Sequence, residues 1–386
     1  MNELRLGILG MGNIGRHHAG YLLDGRVARG RLTAVASTSP AKLADYAARG
    51  LAVFGSAGEL FRSGAVDAVL IATPHPEHPR QGIAALEAGL HVMVEMPIAA
   101  HKADAERLVA AAAARPGRVF GAMFQLRVEP RYAKLRELLQ GGALGTITRV
   151  NWINTDWFRT EAYYASGGWR ATWRGEGGGV LINQCLHNLD TLQWLLGMPA
   201  RVRGFARLGR FHDLEVEDDV TVYLEWPGGA SGVFVSTTGE APGTNRLELA
   251  GSLGRVVLEN DRLVFTRNHA DALEVCRTST SGFTKPETTV EEIPFTNAAA
   301  PHAVVMQSFV DAALDGTPLL VPGAEGLHSI ELANAMLYSS LIGQTVELPL
   351  DGAAYERKLD ELIAGSRRAK RVVAAGTADF AASFRR

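Results

Sequence analysis

The sequence predicts an α/β protein of two domains: an N-terminal doubly wound parallel sheet of the Rossmann type, then an α+β domain with an open, mostly antiparallel sheet. Three observations carry this. A glycine-rich turn, Gly10-Met11-Gly12-Asn13-Ile14-Gly15, follows an apolar run near the start of the sequence. The first third alternates short apolar runs with Ala-rich helical stretches, the pattern of βαβ units. From about Thr146 the texture changes to longer alternating segments divided by turn signals, as in antiparallel sheets.

Leu6-Gly7-Ile8-Leu9 reads as the first strand, and the segment beyond Gly15 through Tyr21 and Leu22 as the first helix. Leu32 to Ala36 reads as a second strand, Val66 to Ala72 as a buried parallel strand, His91 to Glu95 as another, and Val119 to Phe124 as the last candidate. Ala-rich stretches at Ala41 to Arg49, Arg80 to Ala88 and Lys102 to Ala114 supply the crossover helices. The ligand of such a sheet sits at the carboxyl ends of its strands. Strands of the second domain are expected at Thr146 to Trp157, Ala200 to Phe211, Val216 to Trp226, Gly232 to Thr238, Arg246 to Ala250 and Arg255 to Leu258. Pro227-Gly228-Gly229 and Pro242-Gly243-Thr244-Asn245 mark turns between them. Thr296 to Pro301 reads as a linker, with helices over His302 to Leu314 and Gly326 to Ser340. The expected division is 1–128 for the first domain, 129–350 for the second, and 351–386 for a basic helix and surface tail. Helices within 302–345 are expected to pack back on the first domain.

A chain of 386 residues with 47% hydrophobic and 21% charged content has the composition of an ordinary globular protein with two sizeable cores. Its net charge of -2 gives no electrostatic reason for nucleic acid or an anionic membrane as partner. The longest apolar stretches, such as Leu108 to Ala114, are too short to span a bilayer. The first strand begins too early to leave room for a secretory signal, so a cytoplasmic location is expected. Cys185 and Cys276 are the two cysteines; they suggest neither a disulfide framework nor a zinc site, and are expected to be buried and inert.

The glycine turn has the spacing of the dinucleotide fingerprint in its proper context between strand and helix. Gly10 permits the tight turn, Gly12 lets the backbone approach a pyrophosphate, and Gly15 allows helix to pack on strand. The main-chain N–H groups of Asn13 and Ile14 open the helix and face the anion. The alternative is a glycine-rich turn that binds something other than a nicotinamide dinucleotide.

Several further motifs occur in order. His18-Ala19 trails the turn; Ile71-Ala72-Thr73-Pro74 is followed by His78; Glu95-Met96-Pro97 forms a triplet; and Gly177-Gly178-Gly179-Val180-Leu181-Ile182-Asn183 leads to His187 and Asp190. Together with Gly326, Glu331-Leu332 and Ser339-Ser340, these resemble the Gfo/Idh/MocA oxidoreductases, and the resemblance runs from Leu4 to about Asp351. It implies hydride transfer between nicotinamide and a carbinol or carbonyl carbon of a sugar, polyol, inositol or sugar acid. It also implies a homodimer or homotetramer formed through the open sheet. The implied cofactor set comprises Gly10, Gly12, Asn13, Ile14, Gly15, Ser37, Thr38, Lys42, Thr73, Pro74, His78, Glu95, Met96, Trp169 and Arg170.

Cofactor choice is read at the end of the second strand. An NAD site usually has an Asp or Glu there for the ribose hydroxyls, whereas a 2'-phosphate needs hydroxyls and a cation. The segment here is Ala36-Ser37-Thr38-Ser39-Pro40-Ala41-Lys42, with no acid before Asp45. It resembles the Ser-Thr-Ser plus basic residue of NADP-using relatives, and NADP is favoured over NAD. The competing reading is that Ser39 merely caps a helix and Lys42 is solvated.

Loss of hydride from a carbinol carbon leaves an oxygen that must give up a proton, so a base must lie within reach. In the resembling family the Lys of a Glu-Lys-Pro triplet does or assists this, often with an Asp and a His four residues apart. Here Met96 stands at the Lys position and Asn183 at the Asp position; neither accepts a proton at useful pH. His187 remains as the titratable member and is assigned the acid/base role, with Asn183 fixing the substrate hydroxyl. Their spacing is one helical turn, which predicts a shared helical face. Tyr163 or Tyr164 would be a second proton donor.

Trp152, Trp157, Phe158, Tyr163, Tyr164, Trp169 and Trp173 crowd into 22 residues of a chain that is 7% aromatic. Flat rings suit sugar C–H faces, and Arg159, Arg170 and Arg174 offer forks to hydroxyls or a carboxylate. About half of these rings are expected instead in the sheet or an oligomer contact. Trp169-Arg170 precedes Asn183 as a Trp-Arg pair does in sugar-reducing relatives. Arg127, Asp156, Trp157, Arg159, Trp169, Arg170, Asn183 and His187 form the expected substrate set.

Other residues receive structural assignments. His17 and His18 lack a third ligand at metal spacing and are assigned to packing or capping, so no metal is expected. His75 is read as a loop residue. Asp218-Asp219 reads as turn or edge charge, and Pro97 as a residue that shapes the backbone beside Met96 through a cis or trans bond. Two further functional readings stay open: an NAD-using glycosidase-like enzyme that oxidises, eliminates and re-reduces, and a non-catalytic cofactor or sugar sensor.

Overall fold

The computed structural model describes residues 2–296, 300–367 and 372. The first sheet comprises β1 (Leu4–Leu9), β2 (Gly30–Ala36), β3 (Ala52–Phe54), β4 (Ala68–Ile71), β5 (His91–Val94) and β6 (Phe120–Ala122). All pairs are parallel and the order is β3-β2-β1-β4-β5-β6. Because both faces are covered, the strands are apolar throughout rather than alternating: every residue of β4 is buried. The crossovers carry α1 (Asn13–Leu23), α2 (Ala44–Ala48), α3 (Ala57–Arg62), α4 (His78–Glu87) and α5 (Lys102–Ala113). The strand order reverses between β1 and β4, which opens a crevice at their carboxyl ends.

α6 (Pro130–Gln140) leads into the second domain. There follow β7 (Ile147–Asn154), α7 (Glu161–Ala165), α8 (Trp173–Glu176), α9 (Leu186–Leu196), β8 (Arg201–Leu208), β9 (Glu217–Glu225), β10 (Ser231–Thr237), β11 (Asn245–Gly251), β12 (Gly254–Glu259) and β13 (Arg262–Asn268). α10 (Ala272–Thr278), β14 (Thr288–Ile293), α11 (Pro301–Asp315), α12 (Gly326–Ile342), β15 (Val346–Glu347) and α13 (Gly352–Gly365) complete the described elements. The sheet order is β14-β13-β12-β11-β7-β10-β9-β8-β15, and only β7 with β10 pairs in parallel. One face buries Trp152, Val222 and Phe234; α12 packs on β8. The other face carries a row of Ile153, Val235, Thr221 and Phe205, joined by register, with Phe205 57% exposed.

α11 returns to the first domain, touching α1 and β1. Arg29 pairs there with Asp311 and Asp315, and Gln307 accepts from the Ala28 amide at 2.6 Å.

Several expectations need correction. The helix expected at Ala41 to Arg49 is a short 3-10 turn at Pro40–Lys42 and then α2, because Leu43 interrupts with its side chain in the core. β3, α3, β13, α10 and β14 escaped the sequence reading; β3 has three residues and β14 is polar and exposed. Asp218-Asp219 lies on β9, which is interior, so neither is an edge charge. Cys185 is buried, but Cys276 is exposed on α10. Much of the expected linker, and nearly all of the tail beyond α13, falls outside the described residues. Among the described residues no helix is long and apolar enough to cross a membrane.

Candidate active site

The crevice begins at the glycine turn. Gly10 has φ +97, and a Cβ there would stand 2.5 Å from the Ala72 carbonyl oxygen; a Cβ on Gly15 would collide with the Gly10 carbonyl. These two glycines are needed by the protein itself. A Cβ on Gly12 would meet nothing within 4 Å, so its missing side chain leaves room for a ligand. Gly12 is also the N-cap of α1, with no side chain capping the first turn, and the N–H groups of Asn13, Ile14 and Gly15 begin that turn. An uncapped helix start, approached closely across a bare glycine, fits a pyrophosphate.

At the end of β2, Ser37 is half-buried, and Thr38 and Lys42 are exposed. Ser37 Oγ accepts from the Ser39 amide at 3.2 Å. Ser39 precedes the 3-10 turn without a side-chain cap bond, contrary to the capping reading.

The loops after β4 and β5 close the floor. Thr73 Oγ1 donates to Gln81 at 2.6 Å, and Pro74 is exposed beside it. The buried His78 ring lies between two carbonyl oxygens, with Nδ1 2.7 Å from Pro97 and Nε2 2.7 Å from Thr73, and so ties the loops together. Burial pushes its pKa down. Glu95 spends one oxygen on His18 Nε2 at 2.5 Å and the other on the Met96 amide at 3.1 Å. It therefore braces α1 against the Met96 backbone, and His18 is a buried brace as expected. The Met96–Pro97 peptide is cis and the Met96 side chain is half-buried. His75 is more than the loop residue expected: it is buried, its ring lies 5.5 Å from that of Trp169, and burial, with the neighbouring His78, pushes its pKa down to about 3.

Trp169 thus brings the second domain to the first. Arg170 stacks between Trp169 and Tyr163, and Arg159 between Trp157 and Tyr163. The Tyr163 hydroxyl accepts from Arg170 Nη1 at 2.9 Å and Gln184 Nε2 at 3.2 Å, which uses its lone pairs and leaves its proton to donate. Tyr164 is buried and donates to Thr238 at 2.8 Å, which removes it as a donor to substrate. Trp152 and Trp173 are core residues, Phe158 is exposed, and Arg174 is exposed.

Gly177, with φ +82, packs on Ala100, and a Cβ on Gly179 would collide with the Glu217 carbonyl. The glycine run thereby lets the chain pass between the two domains toward Asn183. Asn183 is not on the helix of His187: α9 begins at Leu186, and residues 180–185 form turns. The expected shared helical face is replaced by a turn followed by the first turn of α9; both side chains are half-buried. The His187 ring packs edge-on against Phe124 at 6.1 Å.

Arg127 and Asp156 are engaged by the protein. Arg127 forms a bidentate pair with Asp190 and bonds Glu325, so it corrects from substrate ligand to brace. Asp156 accepts from Asn154 Nδ2 at 2.9 Å and Asn245 Nδ2 at 3.2 Å, which turns it toward the β7 and β11 ends. Trp157 is buried and donates to Asn154 at 2.6 Å. Asp218 accepts from the amides of Arg210, Phe211 and His212 and from His212 Nδ1, the geometry of a turn clamp rather than a catalytic dyad.

Sequence reading missed Glu176, Gln184, Glu217 and His302. Glu217 is fully buried and accepts from Gly179 and Leu181 amides, and burial pushes its pKa up to about 7. His302, on α11, lies against His17 and His18 with ring centroids 5.3 and 5.7 Å away. The only signals in sequence were an acid flanking the glycine run and a His after Pro301.

The sequence matches two family models: "Oxidoreductase family, NAD-binding Rossmann fold" over residues 4–122 and "GFO/IDH/MocA C-terminal domain" over residues 132–257. It is 28% identical over 375 residues to inositol 2-dehydrogenase 1 of Saccharopolyspora erythraea, covering 90% of this chain and 97% of that protein. With inositol 2-dehydrogenase 3 of the same organism the match is 30% over 195 residues, 50% of this chain and 54% of that protein. The WlbA dehydrogenase of Chromobacterium violaceum, solved with NADH and UDP-GlcNAcA, superposes with TM-score 0.77 at 29% identity, over 91% of this chain and 97% of that one. The levoglucosan dehydrogenase complex with NADH, at 20% identity and TM-score 0.75, shares the fold over 90% of this chain and all of that one. Matched across both domains, with the dinucleotide turn intact, the chain belongs to the Gfo/Idh/MocA family of NAD(P)-dependent dehydrogenases and reductases.

Proposed function

We propose that the protein transfers hydride between NADP and a carbinol or carbonyl carbon of a sugar, polyol, inositol or sugar acid. The observation that carries this is the docking of the segment Trp169 to His187 on the loops after β4 and β5, through His75 with Trp169 and Ala100 with Gly177. This contact supports a basic, aromatic wall beside the carboxyl ends of β4 and β5, where a dinucleotide would lie. The inositol dehydrogenases and the sugar-acid complex among the relatives support the substrate class.

When bound, the nicotinamide supplies or takes the hydride. The chain's residues do the rest: Tyr163 and Trp169 present apolar edges, with the buried Trp157 backing Arg159, and Arg159 and Arg170 orient polar groups. Asn183 holds the reacting hydroxyl, His187 takes its proton, and Tyr163 donates to a neighbouring oxygen. Ser37, Thr38 and Lys42 suit a 2'-phosphate, since no carboxylate stands at the end of β2 to repel it. The exposed row through Ile153 and Phe205 suits pairing of two copies into a dimer or tetramer.

Met96, where the resemblance expects Lys, favours one competing reading: a cofactor or sugar sensor without turnover. Reduced-nicotinamide absorbance with NADP and NAD, across sugars, inositols and sugar acids, separates them for the native chain, Met96→Lys and His187→Ala. Native turnover lost in His187→Ala supports the proposal. Turnover only in Met96→Lys would give the proton step to the lysine position, and none in either protein would support the sensor.

A further inference from the structure

The proton chemistry above leaves unused a buried carboxylate seven residues ahead of Asn183. Glu176 ends α8 and is 2% exposed. Its Oε1 accepts from Asn183 Nδ2, and its Oε2 accepts from the Ala171 amide at 2.5 Å. Ala171 has φ +48, a left-handed conformation uncommon for a residue with a side chain, and it directly follows Trp169-Arg170. The Glu176 carbonyl stands near His75 of the first domain and opposes the fall that burial imposes on its pKa. One residue therefore fastens the Trp169-Arg170 loop and the Asn183 amide, on an element that packs against the β4 loop.

A carboxylate accepts and does not donate, so the amide beside it must present its NH2. That turns Asn183 Oδ1 away from Glu176 and makes it the atom offered to a ligand. The resemblance expects an Asp where Asn183 stands. With Glu176 in contact, a second carboxylate there would face the first, and two such groups cannot both ionise without strong repulsion. Glu217 lies against Gly178 and Gly179 and adds a third acid to the same neighbourhood. The amide is the residue that fits.

We propose that Glu176 is a positioning residue that sets the Asn183 amide with its oxygen toward the substrate hydroxyl, and that positions 176 and 183 work as one carboxylate and one amide. This rests on the oxidoreductase reading for its catalytic consequence, though the pairing itself does not. It follows that the alcohol form of the substrate, which donates to Oδ1, is held better than the carbonyl form at this atom.

The test is a double-mutant cycle of Glu176→Gln, Asn183→Asp and the pair together, with kcat, KM and Tm for each. Asn183→Asp alone is expected to lose about a hundredfold in kcat/KM and to fall below Asn183→Ala, because it adds repulsion as well as removing the amide. Glu176→Gln is expected to lose about tenfold, chiefly in KM for the alcohol, as the amide loses its charged partner. The double variant restores one carboxylate and one amide and is expected to recover at least about tenfold over Asn183→Asp. Losses that simply multiply would overturn the pairing, as would Asn183→Asp matching or exceeding Asn183→Ala. If no substrate is turned over by the native chain, the oxidoreductase reading fails on its own, and the cycle is read in Tm. There, Tm shifts that add within error would overturn the pairing, and recovery of Tm in the double variant would sustain it.

Discussion

Arg127 and Asp190 face each other as two flat forks, Nε to Oδ2 and Nη2 to Oδ1 both at 2.7 Å, with side chains 1% and 0% exposed. Arg127 leads out of β6 and Asp190 is one turn beyond His187 on α9, so the pair joins the two domains behind the candidate base. Glu325 adds a second carboxylate to Arg127 from just ahead of α12. Removing one member leaves a buried charge without its counter-ion, which costs about 3–5 kcal/mol. Arg127→Met should therefore unfold at a much lower denaturant midpoint, while Arg127→Met with Asp190→Leu should recover much of the loss. Equal midpoints for the single and double variants would show that the charge pairing is not what holds α9.

The glycine turn separates folding from binding. A methyl on Gly12 meets no protein atom within 4 Å, so Gly12→Ala should keep its Tm within about 2 °C while weakening NADP at least about tenfold, because the methyl fills the space needed by the pyrophosphate. Gly15→Ala drives its methyl into the Gly10 carbonyl and should lower Tm as well as affinity. A Gly12→Ala protein that binds NADP normally by calorimetry would show that the dinucleotide does not approach there.

These two cases also mark what the sequence could reveal. The fingerprint was legible because its constraints are local: strand, turn and helix lie within twenty residues. The role of Arg127 was not, since its partners lie 63 and 198 positions away and only the tertiary fold selects them over a substrate. Asn183 was legible as a candidate but not as a turn residue, because four-residue spacing looks helical whether or not the backbone is. Glu176 passed unnoticed before the glycine run, because its burial follows from the Ala171 loop folding over it and not from any local pattern.

Cofactor preference is tested at Ser37. Ser37→Asp places a carboxylate at the end of β2, where it would accept from ribose hydroxyls and repel a 2'-phosphate. The ratio of kcat/KM for NADP to that for NAD should fall by about tenfold or more, roughly 1.4 kcal/mol. Lys42→Ala should weaken NADP and leave NAD nearly unchanged. An unchanged ratio in both variants would place the adenosine end elsewhere.

Tyr163 and Tyr164 are neighbours with opposite environments. Tyr163→Phe removes a hydroxyl whose proton is free to donate, and should cut kcat by about ten- to a hundredfold with little change in Tm. Tyr164→Phe removes a buried bond to Thr238 and should cost about 1 kcal/mol of stability with kcat retained. The reverse pattern would reassign the proton donor.

Glu217 supplies a pH dependence whose sign can be worked out. It is a carboxyl whose pKa is raised on folding to about 7, chiefly by burial, with the Gly179 and Leu181 amides opposing the rise and the charge of Glu176 adding to it. Below the unfolded value of about 4.5 the group is protonated in both states and exerts no pH-dependent effect. Between there and about 7 the unfolded chain ionises while the folded chain holds its proton, so stability falls as pH rises and levels off above that range. Glu217→Gln keeps an acceptor for both amides and never ionises. Relative to the native chain it should raise Tm at pH 8 and change it little at pH 4.5, where native Glu217 is already neutral when folded. Because the two amides hold the segment leading to Asn183, activity should follow the same course, with the variant flattening any loss that the native enzyme shows between pH 6 and 8. A Tm difference between the two proteins that is the same at both pH values would mean that Glu217 is ionised in the folded protein throughout.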